Sequence, residues 1–210
     1  MNIKKIIVWL GILAVIGGSI GYVVYKGGSR QAYTGIRLPV QTEAEGITQK
    51  TVGEYTVNIT YLYHYDIEAL VVHTKDYFGW NVDDQLSNKD LALAWGTVAQ
   101  YNNDIDFHWD QSGRWYSWRV NSMSELAPVG GVSDVSLQSS NNHIIPADDS
   151  VRQKVNAIRR GDHIRLQGYL VNVDGLGKGG KSFQWHSSTS RSDGGAHSCE
   201  VIYVTDVEWV

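Results

Sequence analysis

An apolar run near the start of the chain is the strongest constraint on how this chain folds. The run begins at Ile6, ends at Tyr25, contains no charged side chain and is followed by Lys26. A helix of this length, at about 1.5 Å per residue, spans about 30 Å, which is the thickness of the hydrocarbon core of a bilayer. The sequence therefore predicts a transmembrane anchor helix over residues 6–25, preceded by a cytoplasmic stub at residues 1–5.

The apolar run is too long for a typical removable secretory signal, whose apolar region has roughly 7–15 residues. The nearest candidate cleavage site, after Ala32, would also place the charged Arg30 at a position where a small residue is needed. We therefore expect an uncleaved signal-anchor and a single-pass membrane protein.

The orientation of the anchor depends on precedent more than on charge. The basic residues on its two sides nearly balance, so the positive-inside rule favours neither direction strongly. A short stub before a first membrane helix is most often cytoplasmic, and we therefore expect an inner-membrane protein with a periplasmic C-terminal domain. Gly17 and Gly21 form a small-xxx-small pair that is compatible with a homo-oligomer of packed anchors, although glycine is also common in isolated membrane helices.

The chain after the anchor is acidic. Of the 18 basic residues in the sequence, Lys4, Lys5 and Lys26 flank the anchor, so 15 remain against 22 acidic residues, a formal net charge of −7. Proteins that grip a phosphate backbone need a basic stripe, and we therefore expect no nucleic-acid partner. The single cysteine, Cys199, cannot form an intramolecular disulfide, so the domain must be stabilised by its core.

The rest of the chain divides into a linker and one domain. Residues 26–48 show no periodicity and are expected to form a juxtamembrane linker. From Glu54 onward, apolar and polar residues alternate in several segments, as they do in half-buried strands, with a turn expected near residues 64–68. Residues 49–210 are therefore expected to form a single, mainly β globular domain.

Two short helices are expected within this domain. The first lies near residues 87–95, where Ser87 has the position of an N-cap. The second lies near residues 148–160, where Val151 and Val155 share one face and the acidic residues before them provide the cap.

The C-terminal half contains the string GDHIRLQGYLV, with Gly168 in the middle of a predicted strand. A helix that ends in Gly-Asp before such a strand resembles a pattern common in small β-barrels of the oligonucleotide/oligosaccharide-binding (OB) kind. There the glycine relieves crowding where a strand bends around a barrel corner. The resemblance implies an OB-like β-barrel within a mainly β (α+β) domain, and a likeness of fold carries no function.

A second resemblance covers the whole C-terminal half. The strings QSGRWYSWR, NNHIIPAD, RRGDHIRLQGYLV, SSTSRSDGG and SCEVIYV resemble a group of bacterial membrane-associated proteins that have no assigned function. The resemblance implies an ordered bacterial domain and no particular activity.

Cys199 is the only candidate nucleophile of the thiol type, with His186 and His197 as candidate bases. A thiolate beside an imidazole is a known nucleophile design. The arrangement resembles the L,D-transpeptidases, but Ser198 stands where that family has glycine and Glu200 follows the cysteine. The alternative is that Cys199 is a small, buried side chain in a strand, without catalytic function.

The histidines show no metal-binding spacing, because HxH, HExxH and CxxC are all absent from the sequence. His143, Asp148 and His163 are candidate ligands only if the fold brings them together, since zinc needs three or four such groups in a tetrahedral arrangement. We therefore expect no metal and no cofactor.

An aromatic and basic cluster is the best candidate for a binding surface. Its members are Trp109, Arg114, Trp115, Tyr116, Trp118 and Arg119. Planar aromatic side chains with arginine can stack on sugars or form a protein-contact hot spot, although strand alternation must direct about half of the cluster into the core. Because the anchor indicates an envelope location and no catalytic pattern is stronger than its structural alternative, we predict a non-enzymatic interaction or assembly module of the bacterial envelope with a protein partner. The alternative is an envelope or cell-wall hydrolase or transferase that uses Cys199.

Overall fold

The structure is a computed structural model that describes residues 33–190 and 199–210. The predicted anchor at residues 6–25, with Gly17 and Gly21, lies outside the described residues, as does His197. In the part that is described, no helix has the length and apolar character needed to cross a membrane. A compact unit extends over Tyr33–Val210.

The described residues are mainly β. The strands are β1 (Val40–Glu43), β2 (Ile47–Val52), β3 (Tyr55–Asp76), β4 (Lys89–Ala94), β5 (Asp110–Ser112), β6 (Trp115–Ser117), β7 (Ser139–Pro146), β8 (His163–Gly177), β9 (Ser182–His186) and β10 (Glu200–Trp209). The α-helices are α1 (Val82–Leu86), α2 (Gly96–Tyr101), α3 (Val132–Leu137) and α4 (Asp149–Ala157), and short 3₁₀ segments cover Met123–Val129 and Lys178–Gly180.

Five of the strands close into a ring. β3 pairs with β4, β4 with β7, β7 with β10, β10 with β8, and β8 again with β3. The β7–β10 pair is parallel and the other four pairs are antiparallel. β1 and β2 add to β3, β9 adds to β8, and β5 and β6 form a separate hairpin. Closure leaves no open edge within the ring.

β3 is continuous over 22 residues, so the turn expected near residues 64–68 is absent and that prediction is wrong. The polar residues of this stretch are instead partnered across the sheet, because Asp66 contacts Arg165 and Glu68 contacts His163 on β8. Tyr65 and Ile67 are buried on the opposite face. Charged residues at alternate positions are as typical of the solvent-exposed face of a strand as they are of a turn.

Side-chain alternation on β7 and β10 separates two apolar clusters. Ile144 and Ile202 belong to a cluster that includes Val151 and Val155 of α4, so this helix packs against one face of the ring. Ile145 and the other alternate residues belong to a second cluster, on the opposite face. Its buried members are Val57, Ile59, Leu86, Ile145, Val171, Val173, Val201 and Tyr203, and Phe183 and Trp185 of β9 pack against it.

α4 lies in the region where the sequence predicts a helix near 148–160. Asp148 is its N-cap, and the carboxylate accepts a hydrogen bond from the backbone N–H of Val151 at 2.9 Å. The chain then turns at Gly161, whose φ of 93° is in the left-handed region that favours glycine.

The helix predicted near residues 87–95 is wrong. Lys89–Ala94 is strand β4, and the helix in this region is α1, which ends before Ser87. Every residue of β4 is buried, because the strand lies between β3 and β7 in the ring. Pairing on both sides overrides the helix propensity of its leucines and alanines.

The stretch interpreted as a linker, residues 26–48, contains ordered structure in its second half. Val40–Glu43 is strand β1, which pairs with β3 from Asp66 to Tyr63, and β2 begins at Ile47. β1 is short and mostly exposed, so it carries little of the apolar alternation by which strands are recognised.

The link between Asp66 and Arg165 predicts an acid-sensitive contribution to stability. Arg165 donates a hydrogen bond to Asp66 at 2.8 Å, and this bond lowers the pKa of the carboxyl. A lowered pKa in the folded state stabilises the fold above the ordinary value, about pH 4, and the contribution is lost as the pH falls through the folded value. In urea unfolding below about pH 5, Asp66→Asn should therefore lose less stability on acidification than the parent. If the free energy of unfolding falls equally with pH in the two proteins, Asp66 is not the source of the acid sensitivity.

Candidate functional site

A cavity of about 420 Å³ lies where β9 meets the face of β7 that carries the second apolar cluster. Its lining residues are Arg114, Trp115, His143, Gln184, Trp185, His186 and Cys199. They come from the β5–β6 hairpin, from β7, from β9 and from the residue that precedes β10. The volume is within the range of small-ligand sites, which is about 300–1,000 Å³.

Arg114 is held in an unusual backbone conformation at the tip of the β5–β6 hairpin. Its φ is 71°, in a region that non-glycine residues rarely occupy. The guanidinium contacts Asp90 at 2.8 Å and Asp84 at 2.6 Å, and it lies 3.6 Å from the ring centre of Tyr77. These contacts explain how the strained backbone persists.

Asp90 and His143 face each other across β4 and β7. They are directly opposite in the strand register, and Nδ1 of His143 lies 3.0 Å from Oδ1 of Asp90. Both side chains are buried, with exposed fractions of 4% for His143 and 0% for Asp90. The contact is close but too oblique for a standard hydrogen bond, and Oδ2 of Asp90 has no hydrogen-bond partner among the described residues.

A chain of buried amides leads to Cys199. Gln111 donates to Oδ1 of Asn141 at 2.6 Å, and both residues are buried. The amide nitrogen of Asn141 donates to the carbonyl oxygen of Arg114 at 2.9 Å and lies 3.7 Å from the sulfur of Cys199. The side chain of Gln111 therefore determines which end of the Asn141 amide faces the thiol.

Aromatic side chains form one wall of the cavity. Trp185 of β9 lies against His143 with ring centres 4.7 Å apart, and the guanidinium of Arg114 lies 5.3 Å from the Trp185 ring. Trp115 is 46% exposed. His186 is exposed, and its ring lies 3.0 Å from Asp174 of β8, the strand that pairs with β9.

Two tyrosines near the cavity have altered acidity. Burial raises the pKa of Tyr77, and the charge of Asp90 raises it further. Burial also raises the pKa of Tyr116, whose hydroxyl donates to the carbonyl oxygen of Ser139 at 3.3 Å. Both phenols therefore stay neutral near pH 7 and serve as hydrogen-bonding groups.

The aromatic and basic cluster predicted from the sequence does not form one surface. Arg114 and Trp115 line the cavity described above, whereas Tyr116 packs against the core. The other three, Trp109, Trp118 and Arg119, line a separate concavity. Trp109 is only 5% exposed and donates to Asn102 at 2.8 Å. Only Trp115–Ser117 of this stretch is strand, but exposure alternates along it as expected, with Trp115 and Arg119 exposed and Tyr116 and Trp118 partly buried against the core.

The candidate metal ligands do not meet. His143 is paired with Asp90, Asp148 caps α4, and His163 contacts Glu68 at 2.9 Å. In residues 33–190 and 199–210, no group of three or more His, Cys, Asp or Glu side chains is placed to hold a metal ion.

Cys199 and His186 line the same cavity, as the sequence-based pairing requires, and His197 lies outside the described residues. Sequence reasoning missed Asp90, Asn141 and Trp185 as site residues. A usable signal was present in the string SSNNHIIP, where consecutive polar residues enter a strand that is buried throughout.

The fold and the site together define a mainly β domain with a closed five-stranded ring and a lined cavity on one face of it. Comparisons of the chain with models of protein families, with curated proteins and with solved structures give no match.

Proposed function

We propose that this chain is a membrane-tethered binding module of the bacterial envelope, built on an OB-like barrel, and that the cavity beside Trp185 is its ligand site. The tether is the predicted helix over residues 6–25, and the expected location is the periplasmic side of the inner membrane. The position of the cavity on the ring is the observation that carries the proposal.

The order of strands supports an OB-like barrel. The ring strands in chain order are β3, β4, β7, β8 and β10, and α4 connects the third to the fourth. OB folds are five-stranded barrels that bind ligands on the face of strands two and three, between the loops that follow strands one and four. Here those strands are β4 and β7. His143 of β7 lines the cavity, Tyr77 in the loop after β3 contacts Arg114, and Trp185 lies in the connection after β8.

The chemistry of the cavity favours a neutral sugar chain. Trp115 and Trp185 offer ring faces that stack on sugar rings, and Gln184 and His186 offer hydrogen-bonding groups beside them. A polyanion is disfavoured because the charge of Arg114 is already matched by Asp84 and Asp90. The net negative charge of the domain also disfavours binding of a polyanion. Among OB-fold ligands, oligosaccharides therefore fit better than oligonucleotides.

Chitotetraose, a neutral oligosaccharide, provides the test. Titrated into the full chain in detergent, it is expected to quench tryptophan fluorescence and to saturate. Trp185→Ala should weaken the affinity about tenfold or more, because truncation of a stacked aromatic anchor removes a hot spot.

Trp209→Ala is the matched control. Trp209 is also partly exposed, but it lies at the far end of β10 from Cys199, about 30 Å away along the strand. Its replacement should leave the affinity within about twofold. Absence of saturable binding, or equal losses in the two variants, would overturn the sugar proposal. Capture of a protein partner that is indifferent to Trp185→Ala would count in favour of the protein interaction expected from the sequence.

A further inference from the structure

The ligand cavity also contains the parts of a thiol-dependent catalytic site. We infer that Cys199 is a nucleophile in acyl transfer at this cavity, with His143 as its base and Asp90 and Asn141 as positioning residues. The inference rests on the proposed ligand cavity for the location of its substrate, and it adds an activity that simple binding does not require.

The strand register places His143 close to the thiol. β7 and β10 are parallel with Asn142 opposite Glu200, so one residue earlier Asn141 is opposite Cys199. His143 follows on the same face of β7, about 7 Å along the strand. Diagonal neighbours at this spacing are within reach of long side chains, and both groups line one cavity.

The surroundings of His143 suit a base better than those of His186. Nδ1 of His143 is the nitrogen beside Asp90, which leaves Nε2 for the cavity. The buried carboxylate of Asp90, with Oδ1 3.0 Å from Nδ1, stabilises the imidazolium that forms when Nε2 takes a proton. His186 is exposed, and its Nε2 already contacts Asp174 at 3.0 Å.

Asn141 completes the site on the other side of the thiol. Its amide nitrogen lies 3.7 Å from the sulfur, and Gln111 holds the amide in that orientation. The sulfur lies between this amide and the carbonyl oxygen of Arg114, which is 3.9 Å away, so Asn141 positions the thiol within the cavity. Asn141 is buried, so this orientation is not lost to solvent.

The charged and titratable groups around Cys199 and His143 come from several elements. They are Tyr77 and Asp84 beside β4, Asp90 on β4, Arg114 and Tyr116 on the hairpin, His186 on β9 and Glu200 on β10.

The proposed reaction balances without a cofactor. Cys199 loses its proton to Nε2 of His143 as its sulfur forms a bond to the carbonyl carbon of an ester. The bond from that carbon to the leaving alcohol breaks, and the alcohol takes the proton from His143. Water then attacks the thioester, gives a proton to His143 and releases the acid, and the sulfur recovers its proton.

Acylation by p-nitrophenyl acetate tests the inference on the full chain in detergent. Near pH 7 the expected product is a single acetyl group on the peptide that contains Cys199, absent from Cys199→Ser. His143→Gln should slow acylation about 100-fold near neutral pH. The deficit should shrink above the ordinary thiol pKa of about 8.5, where the thiolate forms without a base. A merely structural role would not produce this pH profile.

His163→Gln is the matched control, since it removes a histidine that also contacts a carboxylate but does not line the cavity, and it should change the rate less than about threefold. His186→Gln tests the other histidine of the cavity as the base. The inference is overturned if His143→Gln reacts as fast as the parent, or if His186→Gln carries the loss.

A measurement on the parent protein keeps the inference testable even if His143→Gln fails to fold. Iodoacetamide near pH 6 should alkylate Cys199 at least about tenfold faster in the folded chain than in urea, because His143 accepts the thiol proton only in the folded site. Labelling that occurs only after denaturation would refute the inference. If chitotetraose still binds while neither reagent reacts, the catalytic inference fails and the binding proposal stands.

Discussion

Asp90→Asn is expected to lower the free energy of unfolding by about 3 kcal/mol or more, since removal of one partner from a buried ion pair leaves the other charge uncompensated. Asp90 is fully buried and contacts Arg114 at 2.8 Å and His143 at 3.0 Å. Asparagine keeps the size of the side chain but not its charge. Urea unfolding near pH 7, monitored by tryptophan fluorescence, measures the loss.

Asp83→Asn is the control for this prediction. Asp83 faces the same guanidinium at 3.5 Å and is 33% exposed, so solvent screens the contact. Its replacement should cost less than about 1 kcal/mol. Equal losses for the two variants would show that burial of Asp90 does not set the energy of the cluster.

Gly168→Ala is expected to destabilise the ring by about 3 kcal/mol or more, the upper range for overpacking, because no side chain can shift to make room. Gly168 of β8 is paired with Val204 of β10, next to a register shift in that pair. A Cβ at this position would overlap the carbonyl oxygen of Tyr203 and approach Cα of Val204. The obstacle is backbone within the closed ring, so relief requires separation of β8 from β10.

Gly161→Ala separates crowding from backbone strain. Gly161 has open space around its Cα but a φ of 93°, so alanine there should cost about 1–2 kcal/mol from conformation alone. Hydrogen exchange should show faster opening of the β8 and β10 amides in Gly168→Ala and unchanged exchange there in Gly161→Ala. Similar exchange patterns in the two variants would contradict the packing explanation.

The elements that sequence reasoning predicted well are those with a complete local signal. α4 combines a capping aspartate with two buried valines spaced on one face, and β8 combines alternation with the central Gly168. β4 has no such signal. Apolar and polar residues do not alternate regularly in β4 because both faces of the strand are buried. The same sequence is therefore compatible with a helix and with a strand.

The site was less predictable than the fold. Cys199 and His186 were found as candidates because thiol and imidazole carry recognisable chemistry wherever they occur. Asp90 lay within a segment interpreted as a helix, and His143 was considered only as a metal ligand. Their pairing depends on the β4–β7 register, which no local pattern specifies. The aromatic cluster is divided because Arg114 lies in the β5–β6 turn and the residues after it alternate between the core and solvent.

By itself, the sequence determined the properties that depend on neighbours along the chain. These are the uncharged run over residues 6–25, the acidic balance of the domain and its β character. The transmembrane helix over that run stays a prediction. Only the tertiary structure decided that His143 and Cys199 line one cavity and that buried Asp90 contacts His143. Closure of the ring brings three strands that are distant in the chain into register, and long-range pairing of this kind leaves no periodic trace in the residues that it joins.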